Sequence, residues 1–257
     1  MIPDIPWYIT AIIVSVNLAI AGWVWRIVAT AAGRSGLTAP AARKVRAGSA
    51  VFFFGWLGTA FLLAPAPGSI AGRDPFYITP LLPLFALGST AVLLASVGLS
   101  PAVRRTLGAM SLPAVHGVQL YRAIGATFLV LMVQGQLPSH FALPAGWGDV
   151  AVGLAAPLVA LALARRAAGS RALAAGWNLF GLLDLVVAVG MGTGYLAPLL
   201  APHLGAQVPP AAAMGVFPLI LVPTFAVPIS IMLHLLGLIR LTAEARIGVQ
   251  PIPRGMS

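Results

Sequence analysis

The chain has 257 residues, of which 60% are hydrophobic and only 8% are charged. A soluble domain carries about 25% charged residues, so water cannot be the solvent for most of this surface. The formal net charge of +10 would suit a nucleic-acid-binding protein, but the basic residues fall in short clusters between apolar runs. That pattern is typical of cytoplasmic loops that face anionic lipid, and it argues against nucleic acid as a partner. The absence of cysteine excludes disulfides, thiolate metal sites and cysteine nucleophiles.

Seven segments are long and apolar enough to cross a bilayer, which takes about 20 residues in a helix. They cover residues 7–29, 49–66, 76–98, 114–136, 147–165, 172–195 and 213–240. The sequence therefore predicts an all-α bundle of seven transmembrane helices. It forms one domain over residues 1–240, followed by a short cytoplasmic tail over residues 241–257.

Basic residues predict the orientation, because Lys and Arg are enriched in cytoplasmic loops. They follow the first, third, fifth and seventh spans, at Arg34, Arg43, Lys44, Arg46, Arg104, Arg105, Arg165, Arg166, Arg171, Arg240, Arg246 and Arg254. The alternate loops hold little positive charge. We therefore expect a multi-pass protein of the cell (plasma) membrane, with its N-terminus outside and its C-terminus inside.

Arg122 lies inside the fourth predicted span. A guanidinium keeps its proton at any ordinary pH, and placing it at the centre of a membrane helix costs about 2.5–3.5 kcal/mol. It therefore needs a partner. The only acid deep in a later span is Asp184, so we expect these two residues to form a buried ion pair.

Other polar residues fall at similar depth. A rise of about 1.5 Å per residue places Arg122, Asn178 and His234 in one layer, with Asp184 one turn deeper. Gln119 precedes Arg122 by three residues and lies on the same helix face. We expect these residues to line a site for a substrate or an ion. The alternative is that the ion pair only fixes helix packing.

A second group of polar residues lies before and at the start of the fifth predicted span. Pro144 can open that helix, which would place Asp149 near its first turn as a capping residue. Alternatively, His140, Trp147 and Asp149 line an outer mouth, with His203 as a further candidate ligand for a cation. Loop histidines without fixed spacing do not define a metal site, so the metal is unknown at this stage.

The last predicted span carries Pro218, Pro223 and Pro228. Each proline frees a carbonyl one turn earlier, so this helix is expected to be kinked or locally unwound. Interrupted helices supply backbone ligands in transporters. Trp177, near the predicted inner end of the sixth span, is typical of an aromatic belt at the membrane boundary.

Two comparisons with known families can be made. The stretch from Tyr121-Arg-Ala-Ile-Gly through Leu137-Pro-Ser-His-Phe-Ala-Leu-Pro-Ala-Gly-Trp-Gly-Asp resembles uncharacterised bacterial membrane proteins, which implies a bacterial inner membrane but no activity. Seven spans with an outside N-terminus also resemble the retinal-binding rhodopsins. Those proteins need a lysine in the last span, and the only lysine here, Lys44, lies in the first inner loop. Retinal binding is therefore not expected.

No phosphate-binding loop, zinc-hydrolase motif, serine triad or G-x-S-x-G elbow is visible, so the sequence does not point to an enzyme. Our leading hypothesis is a small-solute or proton-coupled transporter. In it, Arg122 binds an anionic group or acts in gating, and Asp184 is its partner or a proton carrier. The expected partners are the lipid bilayer and a small molecule or ion, and an oligomer is an open alternative.

Two other hypotheses remain at this stage. One is a haem- or quinone-binding redox protein, in which His116 and His234 are the candidate axial ligands. The other is a non-catalytic membrane subunit or assembly factor, in which the polar pairs only specify helix packing.

Overall fold

A computed structural model of the chain describes residues 5–66, 81–196, 199 and 211–248. All regular structure in these ranges is helical. The α-helices are α1 (Trp7–Arg34), α2 (Ala39–Leu62), α3 (Leu81–Leu99), α4 (Pro101–Ala109), α5 (Leu112–Gly117), α6 (Ala126–Val133), α7 (Ser139–Ala164), α8 (Ser170–Gly192) and α9 (Val227–Gly248). A 3₁₀ segment, Val118–Gly125, joins α5 to α6, and a π-helical turn, Val222–Ala226, leads into α9.

Six helical stretches in the described residues are long and apolar enough to cross a membrane, which indicates a multi-pass membrane protein. They are Trp7–Arg34, Ala39–Leu62, Leu112–Val133, Ser139–Ala164, Ser170–Gly192 and Val222–Ala243. The third predicted span, 76–98, corresponds to α3, within which Gly88–Leu99 is a shorter apolar helix. Residues 76–80 lie outside the described residues. The seven-span topology therefore stays a prediction.

Helix α2 extends well beyond its predicted span of 49–66. It begins at Ala39, directly after Thr38, and has a proline in its first turn. Proline is well tolerated there because the first helical N–H groups have no partner within the helix. As a result, the first basic cluster is helical and continues the membrane-crossing segment instead of forming a loop.

Helix α7 also begins earlier than predicted, at Ser139 instead of residue 147. Pro144 is accommodated inside the helix and does not open it. Asp149 is consequently in the third turn, where backbone N–H groups already have partners within the helix. The predicted capping role of Asp149 is therefore wrong.

The last span is irregular, in agreement with its three prolines. A 3₁₀ segment at Ala212–Gly215 is followed by a bend and then by the π-helical turn that contains Pro223. Regular α-helix begins only at Val227, one residue before Pro228. Missing N–H groups and wide turns of this kind interrupt the hydrogen-bond ladder of a helix.

Helix α7 is the central element around which the polar residues assemble. It packs along Val118–Gly125 and also against α5, α6 and α8, and α8 in turn packs against α9. Helix α1 packs mainly on α2 and α4. Four membrane-crossing stretches (α5 to α6, α7, α8 and α9) therefore surround a common interior.

The helix ends that carry basic residues lie together at one end of the bundle. The Nε of Arg46 donates to the carbonyl of Ala29 at 3.1 Å, which ties the start of α2 to α1. The Nη1 of Arg240 donates to the carbonyls of Leu107 and Met110 at 2.9 and 2.7 Å, which ties α9 to the connection between α4 and α5. The basic clusters share this end, which is the end that the orientation predicted from the sequence places in the cytoplasm; that orientation stays a prediction.

The absence of native cysteine allows this orientation to be tested with single introduced thiols. Ser35→Cys lies at the basic end of the bundle and Ser139→Cys at the opposite end of α7. With a membrane-impermeant maleimide on intact cells, we expect labelling of Ser139→Cys, and labelling of Ser35→Cys only after permeabilisation. The reverse pattern would contradict the predicted orientation.

Candidate functional site

Arg122 is buried in the 3₁₀ segment and is held by carboxylates from two other helices. Its side chain is 2% exposed, and its Nε donates to Oδ1 of Asp149 at 2.7 Å. Its Nη2 pairs with the same oxygen at 2.7 Å and also donates to Oδ2 of Asp184. The predicted pairing with Asp184 is present, and Asp149 is a second partner that the sequence did not assign.

The third nitrogen of Arg122 is also engaged. Nη1 donates to the backbone carbonyl of Gly181 at 3.3 Å and to Nε2 of His234 at 3.0 Å. Every nitrogen of the guanidinium therefore has an acceptor within the protein. In this arrangement no nitrogen is free for the anionic group of a substrate, which favours a counter-ion role for Arg122 over direct substrate binding.

A chain of hydrogen bonds continues from His234. Its Nδ1 lies 2.9 Å from Oδ1 of Asn178, and Nδ2 of Asn178 lies 2.9 Å from Nε2 of His116. Nδ1 of His116 lies 2.7 Å from the carbonyl oxygen of Leu112. Polar groups on four membrane-crossing stretches are thus linked from the carboxylates to the first turn of α5.

The direction of each donor fixes the protonation of both histidines. Arginine can only donate, so Nε2 of His234 accepts and its Nδ1–H donates to the oxygen of Asn178. The amide nitrogen of Asn178 then donates to Nε2 of His116, whose Nδ1–H donates to the Leu112 carbonyl. Both imidazoles are therefore neutral, and all four ring nitrogens are used.

Trp177 packs against both imidazole rings. Its ring centroid lies 5.5 Å from that of His116 and 4.9 Å from that of His234. Its Nε1 donates to the carbonyl of Val152 at 3.2 Å. Trp177 is buried, so the predicted belt role is wrong: it shields the histidine chain from one side.

Glycines surround the polar chain where a Cβ would not fit. A Cβ on Gly148 would overlap the Asp184 carboxylate, and one on Gly181 would overlap the His234 ring. A Cβ on Gly237 would lie 3.0 Å from Oδ1 of Asn178. The close approach of these helices depends on residues without side chains.

Gln119 is fully buried on the face that also carries Arg122, three residues away, yet its side-chain oxygen and nitrogen have no hydrogen-bond partner in the described protein. Leaving a buried donor or acceptor unpaired costs about 1–3 kcal/mol for each group. A water molecule or a small polar solute would satisfy them. Gln119 is thus a buried member of the predicted site whose side chain makes no hydrogen bond with the described residues.

The residues predicted for an outer mouth do not come together. Asp149 faces Arg122, Trp147 is 62% exposed, and His140 lies in the first turn of α7. At about 1.5 Å per residue, His140 and Asp149 are separated by about 13 Å along the helix. His203 lies outside the described residues. No group of three metal-ligating side chains occurs among the residues that were described.

A family model described as Domain of unknown function (DUF8737) matches residues 79–242. The chain belongs to this family. The polar chain from His116 to His234 lies entirely within the part of this chain that the family model matches. No curated protein and no solved structure matches the chain.

Asp149 had a recognisable signal in the sequence of the DUF8737 domain. Gly146, Asp149 and Gly153 follow at steps of three and four, which places them on one face of a helix. Small residues flanking an acid on a membrane helix indicate a face that packs closely against other helices. The pattern continues into a helix that begins at Ser139, although the prolines and glycines of residues 137–146 predict a loop there.

The charge balance of the cluster predicts how its carboxylates can be replaced. Asp149→Asn or Asp184→Asn alone leaves one carboxylate to balance the charge of Arg122, so each is expected to cost only about 0.5–1.5 kcal/mol, the net value of one ordinary hydrogen bond. The double variant leaves the guanidinium unpaired and should lose about 3–5 kcal/mol beyond the sum. Denaturant or thermal unfolding of the purified protein measures these costs, and simple additivity would contradict the shared pairing.

The glycine contacts predict a position-specific loss of stability. In Gly153→Ala the new Cβ would overlap the backbone nitrogen of Ala123 and lie 3.0 Å from the carbonyl carbon of Arg122. Because backbone atoms cannot rotate away, we expect a loss of about 1–3 kcal/mol. Gly176→Ala, where nothing lies within 4 Å, is the matched control and should be neutral or slightly stabilising. Equal stability of the two variants would argue against the close contact.

Proposed function

We propose that this protein is a proton-coupled transporter of a small polar solute, and that Arg122, Asp149 and Asp184 form its proton-binding site. The observation that carries this proposal is the imbalance of charge in the cluster: one guanidinium faces two carboxylates among apolar helices.

With both carboxylates ionised, the cluster would carry one net negative charge. An unbalanced ion in a medium of low dielectric costs several kcal/mol, so the site favours binding of one proton or another cation. Gain and loss of that proton changes the local charge by a full unit. A change of this size is large enough to bias the packing of the helices that supply the three side chains.

The cluster is near the centre of its helices. Arg122 is ten residues from Leu112 and eleven from Val133, which corresponds to about 15 and 17 Å. Asp184 is fourteen residues from Ser170 and eight from Gly192, or about 21 and 12 Å. Central sites between helices are where transporters bind substrates and coupling ions.

Asp184 is the better candidate for the carboxylate that exchanges the proton. Asp149 contacts two nitrogens of Arg122, whereas Asp184 contacts only Nη2. The Asp184 carboxylate also lies against Gly148 of α7, in space that a Cβ would fill. Protonation of Asp184 would weaken one ionic contact and leave Asp149 as the counter-charge of Arg122.

The solute is expected to bind at Gln119. Its amide offers an acceptor and donors that no described residue occupies, on the face that carries Arg122. The irregular turn at Val222–Ala226 precedes the helix that carries His234, and such π-helical turns frequently occur at functional sites. It provides the element that can bend when the proton and the solute bind.

A non-catalytic subunit is the second candidate, because the hydrogen-bond chain is continuous and holds four membrane-crossing stretches in register. Haem ligation is less well supported. All four ring nitrogens of His116 and His234 are engaged, so an axial ligand would require that the chain be broken.

The proposal is tested with proteoliposomes that contain a pH-sensitive dye and are exposed to a panel of small polar solutes. We expect at least one solute to drive proton movement with the wild-type protein. Asp149→Asn and Asp184→Asn should each abolish it, since either replacement leaves a neutral pair with no need for a further proton. Glu244→Gln removes a carboxylate from α9 ten residues beyond His234, about 15 Å away, and should retain proton movement.

Proton movement that persists in Asp184→Asn would overturn the assignment of the proton site. Solute movement without proton movement in the wild type would remove the coupling and leave an uncoupled transporter. If no solute moves and the carboxylate variants change only stability, the subunit reading is favoured.

A further inference from the structure

A groove that the polar chain does not use runs along the surface of α1. Its volume is about 490 Å³, and it lies between α1 and the segment from Ala109 to Leu120. Arg26 and Arg34 both line it and both are exposed. Neither guanidinium forms a hydrogen bond or ion pair with a described residue, and none of the lining residues is acidic.

The depth of Arg26 sets the chemistry of its partner. It lies nineteen residues after Trp7, or about 29 Å along α1, which equals the thickness of the hydrocarbon core of a bilayer. At this distance from Trp7, where the candidate span begins, Arg26 is expected at the boundary between acyl chains and headgroups. Arg34 is two turns further, about 12 Å, within the headgroup layer.

The walls of the groove are amphipathic. Trp23 and Leu120 are 49% and 45% exposed and present apolar surface on the side of the hydrocarbon core. Thr30 and Ser111 supply hydroxyl groups nearer the two arginines. The groove thus has cationic and hydroxyl donors towards the basic end of the bundle and apolar side chains towards the hydrocarbon core. A phospholipid has the same arrangement, with its phosphate in the headgroup layer and its acyl chains in the core.

The geometry points to a binding site for one anionic phospholipid, with its phosphate between Arg26 and Arg34 and an acyl chain along Trp23 and Leu120. Guanidinium groups bind phosphate oxygens with paired, charge-assisted hydrogen bonds. Basic pockets between membrane helices on the cytoplasmic side bind lipid headgroups in this way. The site is separate from the Arg122 cluster and does not depend on transport.

The full-length protein in nanodiscs of equal phosphatidylglycerol and phosphatidylcholine tests this site. After gentle extraction, native mass spectrometry should show that the protein retains phosphatidylglycerol in preference to phosphatidylcholine. The double variant Arg26→Gln/Arg34→Gln should bind phosphatidylglycerol about 30-fold more weakly. This factor corresponds to the loss of two arginine–phosphate contacts near the membrane surface. Arg43→Gln/Arg165→Gln makes the same change in net charge at exposed arginines outside the groove and should retain wild-type binding.

Three results would overturn the site. The first is that the groove variant keeps the preference for phosphatidylglycerol. The second is that the control variant loses the preference to the same extent, which would mean that the overall positive charge of this surface holds the lipid. Displacement of the lipid by soluble glycerol phosphate would mean that the groove binds a free phosphate group instead. A folded, monodisperse elution profile of both variants is the control for stability.

Tryptophan fluorescence gives an independent measurement. Brominated phosphatidylglycerol should quench the wild-type protein more than brominated phosphatidylcholine does, because its chain lies against Trp23. The difference should disappear in Trp23→Phe and in Arg26→Gln/Arg34→Gln. Equal quenching by the two lipids in the wild type would contradict a selective site in this groove.

Discussion

A guanidinium that keeps its proton among apolar helices requires a fixed counter-charge, and most of this structure can be understood from that requirement. Arg122 receives it from Asp149 on α7 and from Asp184 on α8, and its remaining nitrogen reaches His234 on α9. One side chain thereby connects four membrane-crossing stretches. Apolar packing between helices in lipid has little directional preference, so these ionic contacts specify how the helices are rotated against each other.

The same requirement explains the distribution of glycine. Ionic hydrogen bonds are short, and the helices that carry them must therefore approach closely. Gly153 permits contact with the backbone at Ala123, while Gly148 and Gly181 leave space for the Asp184 carboxylate and the His234 ring. The polar residues and the glycines are thus two parts of one arrangement, and a change in either affects the other.

The sequence predicted the class of protein and the central ion pair, because apolar length and a buried charge are strong local signals. It placed Arg122, Asn178 and His234 at one depth, and they lie in one hydrogen-bonded chain. It does not predict the role of Asp149, because two prolines favour a loop in the segment where α7 in fact begins, at Ser139. The position of Trp177 on the histidine rings depends on helix rotation, which single-sequence patterns determine poorly.

The hydrogen-bond chain also limits where an additional proton can be held. Nε2 of His234 accepts from Arg122, so a proton there would place two cations side by side and remove an acceptor from the guanidinium. Nε2 of His116 is occupied by the amide of Asn178, and its protonation would break that contact. The carboxylates differ from both histidines, since a proton added to either of them cancels an excess charge and leaves Arg122 with one full partner. Under the proposed function, the neutral histidines therefore leave the pair of aspartates as the place for an exchangeable proton, and this is the physical reason for considering the three charged residues as one unit.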